Sequence, residues 1–262
     1  MKISIMYFSG SGNTKYIADR LKSKLEDIGF SVKANSIEEK ISFNDDIDLI
    51  VIGGPIYAGN VPEKLIKWLL RNVPNTINKT KAIVYSTSAG LINANSVDSL
   101  ASKLEKKGYE VIGKETYVMP KNFYFGKYKR NTEEEIEVMF TNVESQIDVL
   151  VKNIENNNIE KINNNNKSIV SKDILAEVFS IMAKFMGKSF STSDMCNGCG
   201  LCAKQCPQNN IIIKNKVVKF KNKCMMCTRC IHSCPNNAIR YKKQQYPQYK
   251  IKSYIRVCLK TN

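Results

Sequence analysis

The sequence predicts an α/β chain: a doubly wound, five-stranded parallel sheet in the order 2-1-3-4-5, followed by a small α+β domain built around cysteine. Three observations carry this. Strand and helix signals alternate through the first 155 residues, a hydroxyl- and glycine-rich turn joins the first strand to the first helix, and all nine cysteines fall between Cys196 and Cys258. A chain of 262 residues also exceeds the usual size of one compact domain and suits two.

The strands are the apolar runs Ile3 to Phe8, Phe30 to Ala34, Ile47 to Ile52, Ala82 to Tyr85 and Glu110 to Met119. Runs this apolar, separated by helical periods, belong to a parallel sheet covered on both faces. The first helix opens at Asn13-Thr14, sets Ile17, Leu21, Leu25 and Ile28 on one face, and ends at Gly29. The second carries Pro62 in its first turn, the third runs from about Asn95 to Gly108, and the fourth begins with a capping box from Thr132 to Glu135. Short connections between five such strands give the order 2-1-3-4-5.

Residues 1–155 form the first domain on this reading. Residues 156–190 hold an Asn-rich linker and a bridging amphipathic helix, with Ile174, Val178, Phe179, Met182, Phe185 and Met186 at helical spacing from about Lys172 to Lys188. Such a basic amphipathic helix also suits peripheral contact with a membrane surface. Residues 191–262 form the second domain and its basic tail.

Charge divides the chain unevenly: residues 1–166 hold 22 basic and 21 acidic side chains, residues 167–262 hold 18 and 3, and no acidic residue follows Asp194. Whatever the second region meets is anionic. No run of about 18 uncharged apolar residues offers a transmembrane span, and the start has no signal-peptide pattern, so the expectation is a cytoplasmic protein. No helix-turn-helix or RNA-binding signature supports specific nucleic-acid binding.

Cys196, Cys199, Cys202 and Cys206-Pro207 read C-x2-C-x2-C-x3-C-P, and Cys224, Cys227, Cys230 and Cys234-Pro235 repeat it at an offset of 28 residues. Three closely spaced thiolates reach three irons of one cubane, and the fourth iron takes a distant thiolate, which in two-cluster proteins comes from the other run. The expected sets are Cys196, Cys199, Cys202 and Cys234 for one 4Fe-4S cluster, and Cys224, Cys227, Cys230 and Cys206 for the other. Zinc is the competing reading of C-x2-C pairs, but it does not require two identical four-cysteine runs, each closed by proline. The segment resembles bacterial two-cluster ferredoxins, with Asn210 standing where the second run has Ala238. Cys258 reads as a tail cysteine, and His232 as a surface residue of a cluster loop.

The first strand ends in Ser9-Gly10-Ser11-Gly12-Asn13-Thr14 and enters a helix, a turn whose N–H groups suit a phosphate. The dinucleotide pattern fails at Lys15, and no P-loop is present. This run resembles the phosphate loop of flavodoxins, over about the first 150 residues. The resemblance implies flavin mononucleotide (FMN) across the C-terminal ends of the strands. It would use Ser9, Gly10, Ser11, Gly12, Asn13 and Thr14, then Pro55, Ile56, Tyr57, Ala58, Gly59 and Asn60 after strand three, and Thr87, Ser88, Ala89 and Gly90 after strand four. Tyr57 is the candidate for stacking on the ring. The aromatic insert Lys121 to Tyr128, including Tyr124, reads as a cover over the flavin, a contact with the cluster domain, or packing under a long loop.

The whole chain resembles the flavodoxin-ferredoxin fusion family: a flavodoxin-like domain followed by a two-cluster ferredoxin-like domain. The resemblance implies an electron-transfer protein of anaerobic metabolism, relaying electrons between FMN and two 4Fe-4S clusters and to or from redox proteins with an acidic docking face. The alternative is an FMN- and iron-sulfur-dependent oxidoreductase that reduces a bound organic acceptor such as a quinone. No residue is assigned a catalytic acid-base role.

Overall fold

The computed structural model describes residues 1–41, 43, 46–90, 94–125, 128–158 and 169–251. Cys258 and most of the expected linker lie outside them. Among the described residues no helix is long and apolar enough to cross a membrane.

The chain forms two compact units, one of residues 1–120 and 132–176, the other of residues 121–131 and 177–262. In the first, β1 (Lys2–Tyr7), β2 (Ser31–Ser36), β3 (Leu49–Pro55), β4 (Lys81–Ser88) and β5 (Glu110–Val118) form one parallel sheet in the order β2-β1-β3-β4-β5. Helices α1 (Asn13–Asp27), α2 (Glu63–Asn72), α3 (Asp98–Glu105) and α4 (Glu133–Glu155) alternate with the strands. Ile5, Ile52 and Val84 on the strands and Ile17, Leu65 and Leu100 on the helices are fully buried, so the apolar runs do form a sheet shielded on both faces.

Two differences from the sequence reading have local causes. Strand β4 runs three residues beyond Tyr85, through Ser86 to Ser88. Polar residues usually end a buried strand, but the Ser86 hydroxyl lies 2.9 Å from that of Ser96 and 3.0 Å from that of Thr116, so it is satisfied inside the fold. Helix α3 is shorter than expected because a 3-10 turn, Ala94–Val97, takes its first residues.

The α4 capping box is formed: the Glu135 N–H donates to Thr132 Oγ1 and the Thr132 N–H to the Glu135 carboxylate, both at 3.2 Å. Its length is tied to α1 through Glu144, which receives Arg20 at 2.8 and 2.7 Å and the Tyr16 hydroxyl at 2.7 Å. Burial alone would raise this carboxyl. The bonds from Arg20 and Tyr16 outweigh it and hold Glu144 down at about 2.

The second unit contains the last eleven residues of α5 (Ile169–Gly187), then β6 (Phe190–Thr192), α6 (Leu201–Lys204), β7 (Ile211–Lys214), β8 (Val217–Phe220), α7 (Arg229–Ser233), β9 (Ile239–Tyr241) and β10 (Gln244–Gln245). Strands β10, β9 and β6 form one antiparallel sheet and β7 and β8 a hairpin. The 28-residue duplication is visible in the backbone. Left-handed φ values of 72° and 56° occur at Gly198 and Met226, 83° and 58° at Gly200 and Thr228, and 48° and 46° at Asn209 and Asn237. Phe190, Ile211, Met226, Ile231, Ile239 and Tyr241 form the core.

Candidate cofactor sites

Two cavities lie in the second unit. The first is lined by Cys224, Cys227 and Cys230 together with Cys206, the second by Cys196, Cys199 and Cys202 together with Cys234. Each cavity thus draws three thiols from one run and the last from the other. The helical turns α6 and α7 bring the third cysteine of each run inward, and the C-P step after each fourth cysteine starts the hairpin strands β7 and β9.

Backbone N–H groups point at the sulfurs in matched positions. Asn210 N–H donates to Cys206 Sγ and Ala238 N–H to Cys234 Sγ, both at 3.3 Å, and Met226 N–H to Cys224 Sγ at 3.3 Å. Donors aimed at sulfur stabilise thiolate and are one means of tuning a cluster's potential. Burial pushes Cys224 up to about 11 and Cys227 up to about 12, so these thiols release their protons only where a cation replaces them. Among the described residues no group of three His, Cys, Asp or Glu is arranged to hold a single metal ion. Four thiols that line one cavity without converging on a single point fit a polynuclear cluster. A single zinc would draw its sulfurs in to about 2.3 Å from one point.

The departure at Asn210 has a structural use. Its side chain is buried and its Oδ1 accepts the Lys223 N–H at 2.6 Å, while its carbonyl accepts the Lys221 N–H at 2.7 Å. It therefore fixes the approach to Cys224. Gly187, at the end of α5, touches the same ligand: a Cβ there would stand 2.2 Å from Cys224 Cβ.

His232 is buried, contrary to the surface placement expected from the sequence. Its Nδ1 accepts the Tyr249 N–H at 3.0 Å, which leaves Nε2 to donate to the Asn122 carbonyl at 2.8 Å. Burial lowers it to about 4, against the bond to Asn122, so the ring is neutral near pH 7. The insert is thus part of the cluster unit: Phe125 stacks on Tyr241 at 4.7 Å, and Tyr124 is buried, donates its hydroxyl to the Pro247 carbonyl and lies 6.0 Å from the His232 ring. Of the three readings of this insert, contact with the cluster domain is the one that these bonds of Tyr124 support. Nothing local in the sequence signals these ties, which span more than 100 residues.

In the first unit the loops after β1, β3 and β4 meet at the C-terminal sheet edge. Gly12 caps α1 with φ 116°, a left-handed conformation, no acidic residue stands in the helix's first turn, and Ser9 Oγ accepts the Gly12 N–H at 3.2 Å. The helix end is thus electrostatically open to an anion. Thr14 and Asn13 are buried: the Thr14 hydroxyl lies 2.8 Å from that of Thr87, and Asn13 Nδ2 donates to the Pro120 carbonyl at 2.9 Å. Ile56 N–H donates to the Thr87 carbonyl at 3.0 Å, and Tyr57 and Asn60 close a two-residue turn over Ala58 and Gly59. The residues expected from the sequence are therefore brought together here, with Ser9 to Gly12 and Tyr57 half-buried and Ala89 and Gly90 exposed. Among the described residues nothing lies within 4 Å of where a Cβ on Gly59 or Gly90 would stand. This fits a planar ring laid against backbone.

Fold and sites together define a two-part redox protein. The model of the flavodoxin domain family matches residues 4–123, and that of the 4Fe-4S dicluster domain family matches residues 188–235. The chain thus matches a flavodoxin-ferredoxin fusion, a combination that supports flavin and iron-sulfur cofactors and an electron-transfer or redox function. No curated protein matches the chain. Similar solved structures include a flavodoxin of Megasphaera elsdenii (21% identity, 44% of this chain and 85% of that one, TM-score 0.39). Flavodoxin 1 of Bacillus cereus is another (19%, 56% and 98%, TM-score 0.39), as is rubredoxin oxygen:oxidoreductase of Desulfovibrio gigas (16%, 58% and 36%, TM-score 0.36).

Proposed function

We propose that the chain is an electron carrier that holds one FMN and two 4Fe-4S clusters and exchanges electrons with separate redox proteins. The observation that carries this reading is the crossed lining of the two cavities, each with three thiols of one run and the fourth of the other. When bound, the flavin supplies paired or single electrons and each cluster single ones, so the chain's own residues have only to hold, shield and tune. Ser9 to Thr14 form the phosphate cradle at the α1 N-terminus. Pro55 to Asn60, with Tyr57 against the ring, and Thr87 to Gly90 border the isoalloxazine.

Within the cluster unit, Asn210, Met226 and Ala238 aim N–H groups at ligand sulfurs and so favour the thiolate form. The basic surface favours an acidic partner. Anaerobic stopped-flow mixing of the reduced, fully loaded chain with an oxidised acidic ferredoxin tests the reading. Second-order oxidation that slows as salt rises supports a carrier. Saturable turnover with a soluble quinone and none with the protein would instead establish an oxidoreductase acting on a bound organic acceptor.

A further inference from the structure

The two cluster sites come from a duplicated sequence, yet the fold buries them unequally. At several matched positions the second run is covered where the first is open. Thr228 is 3% exposed, Met226 3%, Ile231 buried and His232 buried, whereas their counterparts Gly200, Gly198 and Ala203 are half-exposed and Lys204 is exposed. Asn197 and the ligand Cys199 are exposed, while Met225 and Cys227 are not. The cover over the second run comes from identifiable pieces: Gly187 against Cys224, Phe190 and Phe220 in the cavity wall, and the Asn122 carbonyl received by His232.

Around the open site the surface has a mixed character. Met195, next to Cys196 in the chain, is 53% exposed. Lys214, Lys216 and Lys219 on the β7–β8 hairpin are exposed and form no ion pair among the described residues, and the second unit has no side-chain carboxylate after Asp194. The hairpin turn reaches the ligand loop itself, since a Cβ on Gly198 would stand 2.8 Å from Lys216 Cβ. Electron transfer needs close approach, and an apolar centre with a basic rim is complementary to an acidic protein surface.

We propose that the site of Cys196, Cys199, Cys202 and Cys234 is the port of the chain, and that an acidic redox protein docks there on Met195 and the Lys214–Lys216 turn. This rests on the carrier reading above. The site of Cys206, Cys224, Cys227 and Cys230 is then the internal one. The rival port is the other hairpin turn, Lys242–Lys243, which the duplication places at the corresponding point of the second repeat.

The test uses the full chain loaded anaerobically, with iron and flavin content matched among variants, and a small acidic plant-type ferredoxin as probe. The double variant Lys214→Glu with Lys216→Glu is expected to slow the second-order rate by about tenfold at low salt and to converge on the parent as salt rises. Lys242→Glu with Lys243→Glu is expected to stay within about twofold. A second readout needs no partner: a soluble dysprosium chelate should relax the electron paramagnetic resonance signal of the port cluster, identified by its loss in Cys199→Ser, more strongly than that of the other. An equal or larger loss in the Lys242/Lys243 variant, or equal relaxation of both signals, overturns the port assignment. A parent chain that exchanges electrons with no acidic protein but turns over a quinone overturns the carrier reading instead.

Discussion

Replacing Asn210 by alanine separates the two cluster sites. In the parent, Asn210 Oδ1 accepts the Lys223 N–H at 2.6 Å, one residue before the ligand Cys224, whereas its counterpart Ala238 has no such group. Asn210→Ala leaves the N–H to Cys206 Sγ and the carbonyl bond to Lys221 in place, because both are backbone. It removes only the acceptor. Because Lys223 is exposed, water can replace the lost acceptor, and the change costs the net worth of one hydrogen bond, about 0.5–1.5 kcal/mol, roughly 2- to 13-fold in the opening equilibrium of that loop. Iron release to a chelator under anaerobic conditions should therefore show two phases, with the phase of the Cys206, Cys224, Cys227 and Cys230 site accelerated about two- to tenfold and the other unchanged. Equal acceleration of both phases, or of neither, would refute the role given to Asn210.

Gly187→Ala places a Cβ 2.2 Å from Cys224 Cβ and should cost the chain that one cluster, seen as a loss of about half the iron with flavin content retained. The double change Ser11→Ala with Thr14→Ala removes a hydroxyl from the phosphate cradle and the Thr14 to Thr87 tie between loops, and should weaken FMN at least about tenfold in an anaerobic titration; unchanged affinity would place the phosphate elsewhere. Glu144 is held at about 2 in the folded chain, below its unfolded value, so its contribution is complete above about pH 4.5 and is lost as pH falls toward 2. Acid unfolding followed by circular dichroism should show that Glu144→Gln lowers stability by about 2 kcal/mol near pH 7, after allowance for solvent screening, and not at all near pH 2.

The first domain was legible because its information is local. Apolar runs such as Leu49 to Ile52 can only be buried strands, and Thr132 with Glu135 announce a helix start within four residues. The three close cysteines of each run were legible for the same reason, since their spacing is local, whereas the fourth thiol of each cavity comes from the other run. What stayed hidden depends on distant partners. Ser86 and Thr87 look like the end of a strand until Ser96, Thr116 and Thr14 supply their bonds. His232 looks like a loop residue until Asn122 and Tyr249 close over it, and nothing near Tyr124 in the sequence announces the bond of its hydroxyl to Pro247. The unequal cover of the two repeats is hidden for a further reason, since the covering residues Gly187, Phe190 and Asn122 lie outside the duplication.

The central claim is that one chain holds FMN and two clusters through crossed thiolate sets. Quantifying iron, acid-labile sulfide and flavin in anaerobically prepared protein, for the parent and for Cys206→Ser, tests it most directly. The account predicts about eight iron, eight sulfide and one FMN per parent chain. In Cys206→Ser it predicts loss or conversion of the cluster whose other ligands are Cys224, Cys227 and Cys230, with the Cys196, Cys199, Cys202 and Cys234 cluster intact. Two zinc ions without sulfide, or loss of the cluster ligated by Cys196, Cys199 and Cys202 in that variant, would contradict it.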